Sequence, residues 1–335
     1  TALDFCKKQN LKSAMLESIG LLQTSSFDEI SKVINDALKL GDFSDDGHDW
    51  AKDFEDRFVP KFRNPISSGW PLIDDIVAGG LGQKELGVVI APTGAGKSMA
   101  LVHLGAAALK QGKNVVHYTL ELQDTVIASR YDSCLTKIPL GNLMSFKEKI
   151  FEEVQEIKGR LIVKEYPTKS ASTNTIKAHL EKLKMKGFQV DMIIVDYADL
   201  LRPINSLKEK RIELETIYED LRGMASENVV PIWTASQTNR SGLNAEVVTM
   251  ESISEAFNKC FVSDFIFSLS RTVDDKIANG GRLFIAKNRN GPDGLVFPIF
   301  MDTSCVAIKV LDPSAAEVDV SSKTQKESLL KKYKK

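Results

Sequence analysis

The sequence predicts an α/β fold: a mostly parallel central sheet, an antiparallel C-terminal extension and an N-terminal helical segment. Three observations carry that prediction. From about residue 65 short apolar runs alternate with amphipathic stretches, the rhythm of parallel strands joined by helical crossovers. After residue 260 the helical stretches drop out and strand-length runs follow one another. Residues 1–41 instead carry helical periodicity.

Within 1–41 the best-marked helix is Ser26–Leu40. Ser26 and Glu29 match a capping box, Phe27, Ile30, Ile34, Ala37 and Leu38 recur at helical spacing, and Gly41 stops the pattern. That apolar face needs a partner surface. Residues 42–64 open on the acidic, polar stretch Asp42–Asp49 and read as a connecting segment. The domain proper is placed at 65–312. Its predicted parallel strands are Gly87–Ala91, Asn114–Leu120, Leu161–Glu165, Met192–Asp196 and Val230–Ala235. Helices are predicted at Ser98–Gln111, Thr125–Leu135, Ser172–Lys186 and Leu207–Glu227. The extension comprises Phe265–Ser270, Arg282–Lys287, Val296–Met301 and Val306–Val310, with a turn at Ala278-Asn-Gly-Gly281. Residues 313–335, polar and lysine-rich, read as a frayed tail.

At 335 residues the chain has room for one large α/β domain and an appendage. Its 43% apolar and 27% charged residues exclude a disordered or collagen-like chain. No apolar run reaches the roughly 18 residues of a membrane helix, and the N-terminus lacks a basic-then-apolar signal. A soluble, cytoplasmic protein without a membrane partner is expected. Cys6, Cys134, Cys260 and Cys305 have neither metal-site nor disulfide spacing, which fits a reducing compartment. With a net charge of −1, any nucleic-acid contact must come from a local basic patch. The chain starts at Thr1 rather than Met, so a front portion is expected to be missing from view.

Ala91-Pro-Thr-Gly-Ala-Gly-Lys-Ser98 closes an apolar strand and opens a helix, the setting of a P-loop. Such a loop turns sharply with amides aimed inward, so Gly94 and Gly96 stand where a side chain would crowd the turn. Pro92, Thr93, Gly94, Ala95, Gly96, Lys97 and Ser98 would cradle a nucleotide triphosphate. Lys97 would reach the β- and γ-phosphates, and the Ser98 hydroxyl would help hold Mg²⁺. The strict pattern asks for glycine where this chain has Ala91. Asp196, at the end of the buried strand Met192–Asp196, is the second expected Mg²⁺ residue, although a strand-capping Asp is common in any α/β fold. Glu121 closes the strand Asn114–Leu120 and is placed to orient and deprotonate the attacking water. Asp124 competes for that role, with a first-turn helix acid as its simpler reading. Gln237 follows Ser236 at a strand end, where a neutral amide could sense the γ-phosphate; singly, it reads as a surface glutamine.

Taken in order, P-loop, strand-Glu, strand-Asp and strand-Ser-Gln resemble the RecA-like P-loop NTPase core of the DnaB-type replicative helicases. Ser236-Gln-Thr-Asn-Arg240 resembles the family's Ser-Gln-x-Asn-Arg motif, and Ile285-Ala-Lys-Asn-Arg-Asn-Gly-Pro292 its late Lys-x-Arg-x-Gly-Pro motif. Gly47-His-Asp-Trp50, Arg160–Lys164 with Tyr166-Pro167, and Ile194-Val-Asp-Tyr197 are similar to the helicases of T-even bacteriophages and their relatives. The resemblance runs from about residue 47 to about 300. It implies that residues 1–41 link the motor to an N-terminal domain; the apolar face of Ser26–Leu40 is expected to dock on the adjacent motor domain and build the ring.

The resemblance also implies that Lys287 and Arg289 act across a subunit boundary on the neighbour's ATP, where cations stabilise the transferring phosphoryl group. Sequence alone would read them as a solvated pair beside a Gly-Pro turn. It further implies a homo-oligomer, a hexameric ring with single-stranded DNA in its channel, with primase and loader partners and a location in the cytoplasm, a host's if the source is a phage. DNA would meet the loops Leu201–Arg211 and Asn239–Asn258, through Arg202, Lys208, Lys210, Arg211 and Arg240, by sequence-blind phosphate contact. Lys208, Lys210 and Arg211 alternate with Glu209 and Glu213, so a solvated helix face is an equal reading. Where much of the family carries Arg-Glu-Ser-Gly, this chain has Ser252-Ile-Ser-Glu-Ala-Phe257. Two other functions stay open: a recombinase-like DNA-dependent ATPase without unwinding activity, and a non-catalytic nucleotide-holding scaffold.

Overall fold

In the computed structural model, the residues described are 2–21, 27–39, 49–52, 54–55, 63–205, 209–238, 247–248 and 261–313. The strands among them are β1 (Leu86–Ala91), β2 (Val115–Thr119), β3 (Leu161–Glu165), β4 (Met192–Asp196), β5 (Ile232–Gln237), β6 (Phe265–Ser270), β7 (Gly280–Asn288), β8 (Val296–Asp302) and β9 (Ala307–Val310). They form one sheet in the order β3-β2-β4-β5-β1-β6-β7-β8-β9. The pairs from β3 through β6 are parallel; those from β6 through β9 are antiparallel. The predicted class, a parallel core with an antiparallel extension, is the observed one.

The helices are α1 (Ala2–Leu21), α2 (Phe27–Lys39), α3 (Pro71–Ile76), α4 (Lys97–Lys110), α5 (Asp124–Thr136), α6 (Lys147–Gln155), α7 (Thr173–Met185), α8 (Lys210–Asn228) and α9 (Val273–Ile277). The chain divides into two compact units, residues 1–63 and 64–335. In the first, α1 and α2 contact each other. In the second, helices cover both faces of the sheet. Side chains alternate along a strand, so Leu86, Val88 and Ile90 of β1 join the core with α7 and α8, while Val89 and Ala91 join the core with α4 and α5. Burial of both faces explains why these strands read as continuous apolar runs.

Several boundaries differ from expectation for physical reasons. The β5 ladder starts at Ile232 rather than Val230 because Val229 is left-handed and Pro231 has no amide to donate. It runs on to Gln237 because polar Ser236 and Gln237 pair with Ile90 and Ala91 of β1. Val306 turns at φ 49° instead of extending β9. α6 was not predicted: it is nine residues long, with Ile150, Phe151 and Val154 as its only apolar residues among charged ones, and none of them is buried. α9, closed by a Thr272–Asp275 capping box, takes up part of the span between β6 and β7 where only a turn was expected. The Ser26 capping box lies outside the described residues.

Candidate nucleotide-binding site

The parallel strands bring their carboxyl ends to one edge. Ala91 of β1 lies opposite Gln237 of β5, and Thr119 of β2 lies opposite Asp196 of β4. Ligands in open parallel sheets sit at this edge. Between β1 and α4 the chain turns through Gly94 at φ 72° and Gly96 at φ 106°, both left-handed. A Cβ on Gly96 would also fall 2.8 Å from the terminal methyl of Met301. Ala91 is the last residue of β1 and is not among the left-handed positions, so its departure from the glycine pattern carries no backbone strain. The start of α4 adds free amides and the positive end of a helix dipole.

Lys97 is 8% exposed, and its ammonium lies 5.2 Å from the centroid of the Tyr197 ring. Burial lowers its pKa; the carboxylates of Glu121, Asp196 and Asp199, in that order, oppose the shift. A cation held among acidic groups in a partly dry loop is suited to receive a polyphosphate.

Asp196 is fully buried, and neither carboxylate oxygen completes a hydrogen bond. Burial raises its pKa to about 6; the Ser98 hydroxyl lies close enough to favour the charged form without reaching hydrogen-bond geometry, and Glu121 pushes the pKa further up. An orphaned buried carboxylate beside a serine hydroxyl fits a divalent cation. Among the described residues no three His, Cys, Asp or Glu side chains cluster as a metal cage. Ser98 and Asp196 are the residues here that would hold a Mg²⁺ ion.

Glu121 lies exposed just past β2, where the Leu120 amide donates to the Asp196 carbonyl at 2.8 Å. Asp124 opens α5, and its carboxylate accepts from the Thr125 amide at 2.7 Å, as a first-turn acid does. Gln237 Nε2 donates to Thr93 Oγ1 at 2.6 Å, and the Tyr197 hydroxyl donates to Gln237 Oε1 at 3.4 Å. The structure thus brings together the loop 92–98, Glu121, Asp196 and Gln237.

It keeps Lys287 and Arg289 apart from them. β7 is antiparallel to β6, so Asn288 pairs with Phe265, which itself lies opposite Gly87 at the start of β1. Arg289 Nη1 bonds Asp264 Oδ1 at 3.0 Å, and Asp264 Oδ2 accepts the Leu86 amide at 2.8 Å. From Leu86 to Ala91 the strand rises about 17 Å. Lys287 and Arg289 therefore sit at the amino end of the sheet, opposite the loop 92–98 of the same chain.

Arg202 is half-buried beyond β4, its amide donating to the Ala171 carbonyl at 2.8 Å. Lys210 and Arg211 are exposed in the first turn of α8. Lys208 and Arg240 lie outside the described residues, as does nearly all of the loop 239–258. Sequence reasoning missed Tyr197, Asp199 and Arg130, whose charges or rings act on Lys97 or Asp196. Arg130 sits nine positions beyond Glu121 on α5, and no local pattern marks it.

A family model described as the DnaB-like helicase C terminal domain matches residues 65–305. The chain belongs to that family. Among the relatives of this DnaB-like chain, the DnaB-like replicative helicase of Enterobacteria phage T4 is 29% identical over 276 residues, 78% of this chain and 58% of that one. The replicative DNA helicase DnaB of Mycoplasma genitalium is 27% identical over 273 residues, 74% of this chain and 57% of that one. The chain thus spans a little under three-fifths of these relatives. A solved DnaB-like replicative helicase, studied with its interactions with primase, superposes with a TM-score of 0.70 at 16% identity, covering 92% of this chain and 76% of that one. That likeness is one of fold. No helix among the described residues is long and apolar enough to cross a membrane.

Proposed function

We propose that this chain is the motor of a replicative DNA helicase: it hydrolyses ATP or another NTP with Mg²⁺, translocates 5′ to 3′ on single-stranded DNA and unwinds duplex as a hexameric ring. One observation carries the reading: the phosphate-binding loop lies at the carboxyl end of the sheet and the cations Lys287 and Arg289 at its amino end. A single copy cannot close its own site, whereas two copies set end to end in a ring can.

In that arrangement the backbone amides of residues 93–98 and the Lys97 ammonium bind the triphosphate, and Ser98 and Asp196 would hold Mg²⁺. When bound, the ion would supply positive charge against the developing negative charge of the phosphates. Glu121 orients the attacking water and takes its proton. Gln237, tied to Thr93, reports the state of the loop to the segment that follows β5. Lys287 and Arg289 of the next protomer stabilise charge on the transferring phosphoryl group, a contribution of roughly 10³–10⁵ in rate where a single arginine acts this way. Arg202, Lys208, Lys210, Arg211 and Arg240 are proposed as the DNA contacts, and residues 1–41 as the segment that builds the ring. A primase partner is proposed on the likeness to the solved neighbour.

The test measures mass in solution with and without ATP and single-stranded DNA, and strand displacement in the same samples. A mass near six times 37.1 kDa with ATP-dependent displacement is expected. DNA-stimulated hydrolysis without displacement would move the assignment to a recombinase-like ATPase. Removal of residues 1–41 is expected to leave a folded monomer; a surviving hexamer would take ring building away from that segment.

A further inference from the structure

Asp264 stands just before β6 and has no part in the chemistry above, yet it is 4% exposed and fully engaged. Its Oδ2 accepts from the Leu86 amide at 2.8 Å and pairs with Arg222 Nε at 2.7 Å. Its Oδ1 accepts from Arg289 Nη1 at 3.0 Å and from Arg222 Nη2 at 3.3 Å. The backbone closes the same joint: the Asp264 amide donates to the Leu86 carbonyl at 2.9 Å, and the Arg289 amide donates to the Asp264 carbonyl at 3.0 Å. Three residues earlier, the Phe261 carbonyl accepts from Lys287 Nζ at 2.6 Å and from Arg289 Nη2 at 3.2 Å.

A buried carboxylate is tolerated only when its lone pairs are filled, and here four donors fill them. Arg222 and the Leu86 amide fix the carboxylate from the side of β1 and α8. Arg289 is then gripped at Nη1 by Asp264 and at Nη2 by Phe261, which sets the plane of the guanidinium while its side chain stays 49% exposed. One carboxylate against Arg222, Arg289 and Lys287 also leaves the cluster cationic, as a phosphate-facing surface must be.

We infer that Asp264 is the positioning residue of the trans-acting pair: with the Phe261 carbonyl it takes one hydrogen from each terminal nitrogen of Arg289 and so directs the remaining N–H groups to the nucleotide of the adjoining copy. The inference rests on the reading of Lys287 and Arg289 as acting on that nucleotide. With Asp264 uncharged, Arg222 and Arg289 lose their shared anion and repel each other, and the presented guanidinium loses its fixed direction. A misplacement of about 1 Å costs on the order of a hundredfold in rate.

The experiment uses rings of the full chain. Asp264→Asn alone is expected to lose about a hundredfold in kcat with KM and Mg-ATP binding within a few-fold. Mixed with Lys97→Ala protomers, which have no working phosphate loop but an intact Arg289, it is expected to regain turnover at the shared interfaces. Arg289→Ala mixed with Lys97→Ala is the control. Recovery with Arg289→Ala but none with Asp264→Asn overturns the positioning role. Recovery with neither overturns the trans-acting reading beneath it, and wild-type turnover by Asp264→Asn alone overturns the inference directly. Should the Asn variant fail to bind nucleotide, Asp264→Glu takes its place: charge kept but displaced, it is expected to lose about tenfold in pure rings and to recover in mixed ones. Full activity in pure rings, or no recovery in mixed ones, then counts against the inference.

Discussion

Gln237 donates from Nε2 to the Thr93 hydroxyl at 2.6 Å, so the carboxyl end of β5 is tied to the loop that leads into α4. Its amide oxygen is met by the Tyr197 hydroxyl at 3.4 Å, and the Tyr197 ring lies against the Lys97 ammonium. A phosphate drawing Lys97 and Thr93 toward itself must therefore disturb Gln237. The expected result for Gln237→Ala is Mg-ATP binding within a few-fold of wild type and basal turnover down by about tenfold, with stimulation by single-stranded DNA lost. Turnover with and without DNA decides it. Stimulation of wild-type size would show that Gln237 carries no signal.

Glu121 and Asp124 stand three residues apart but do different work in the fold. Asp124 is spent on its own helix start, whereas Glu121 acts on the Lys97 charge more strongly than Asp196 or Asp199 does. Glu121→Gln is expected to cut turnover by about 10²–10⁴ and leave binding of Mg-ATP intact or slightly tighter. Asp124→Asn should stay within a few-fold of wild type. A reversed order would exchange the assignments.

The parts of this molecule that were legible in the sequence are those whose cause is local. The loop 92–98 announces itself through Gly94, Gly96 and Lys97 within four positions, and each core strand through its unbroken apolar run. α6 was not legible because only Ile150, Phe151 and Val154 mark a face in its nine residues, and the start of β5 was misplaced because Pro231 stops the ladder without interrupting the apolar run. Asp264 could not be found at all: its partners are Leu86, Arg222 and Arg289, which only the folded sheet brings together. Lys287 and Arg289 were placed by family resemblance. Antiparallel β7 carries them to the end of the sheet away from residues 92–98, an arrangement the proposed action on a neighbouring copy requires.

Asp196 should act against stability and for function. Its folded pKa, about 6, lies above the ordinary value of 3.8, so between those values the folded state binds more protons than the unfolded one. Stability from this group is present at low pH and lost as pH rises through about 6, a cost near 3 kcal/mol at neutral pH. Asp196→Asn in the nucleotide-free protein should then melt roughly 2–5 °C higher at pH 7.5, since part of the gain is offset by an amide with few partners. The same variant should lose divalent-dependent turnover by at least about a hundredfold. A lower melting temperature would mean that the carboxylate is satisfied in solution by a group outside the protein.

His117 gives the opposite slope. It is wholly buried in β2, with Nδ1 3.0 Å from the Tyr131 hydroxyl and Nε2 without a partner. Burial, with the Arg130 charge behind it, lowers its pKa from 6.5 to about 3. The folded state therefore binds fewer protons than the unfolded state in that interval, so this contribution is complete above about 6.5 and is lost as pH falls toward 3. At pH 5 it amounts to about 2 kcal/mol of destabilisation relative to neutral pH. His117→Gln should be somewhat less stable than wild type at pH 7.5, because the edge contact with Tyr131 goes, and should lose about 2 kcal/mol less on acidification to pH 5. His103, also lowered to about 3, is present in both proteins and cancels in the difference. Urea unfolding of both proteins at the two pH values measures it, and parallel losses would show that His117 accepts its proton without leaving the fold.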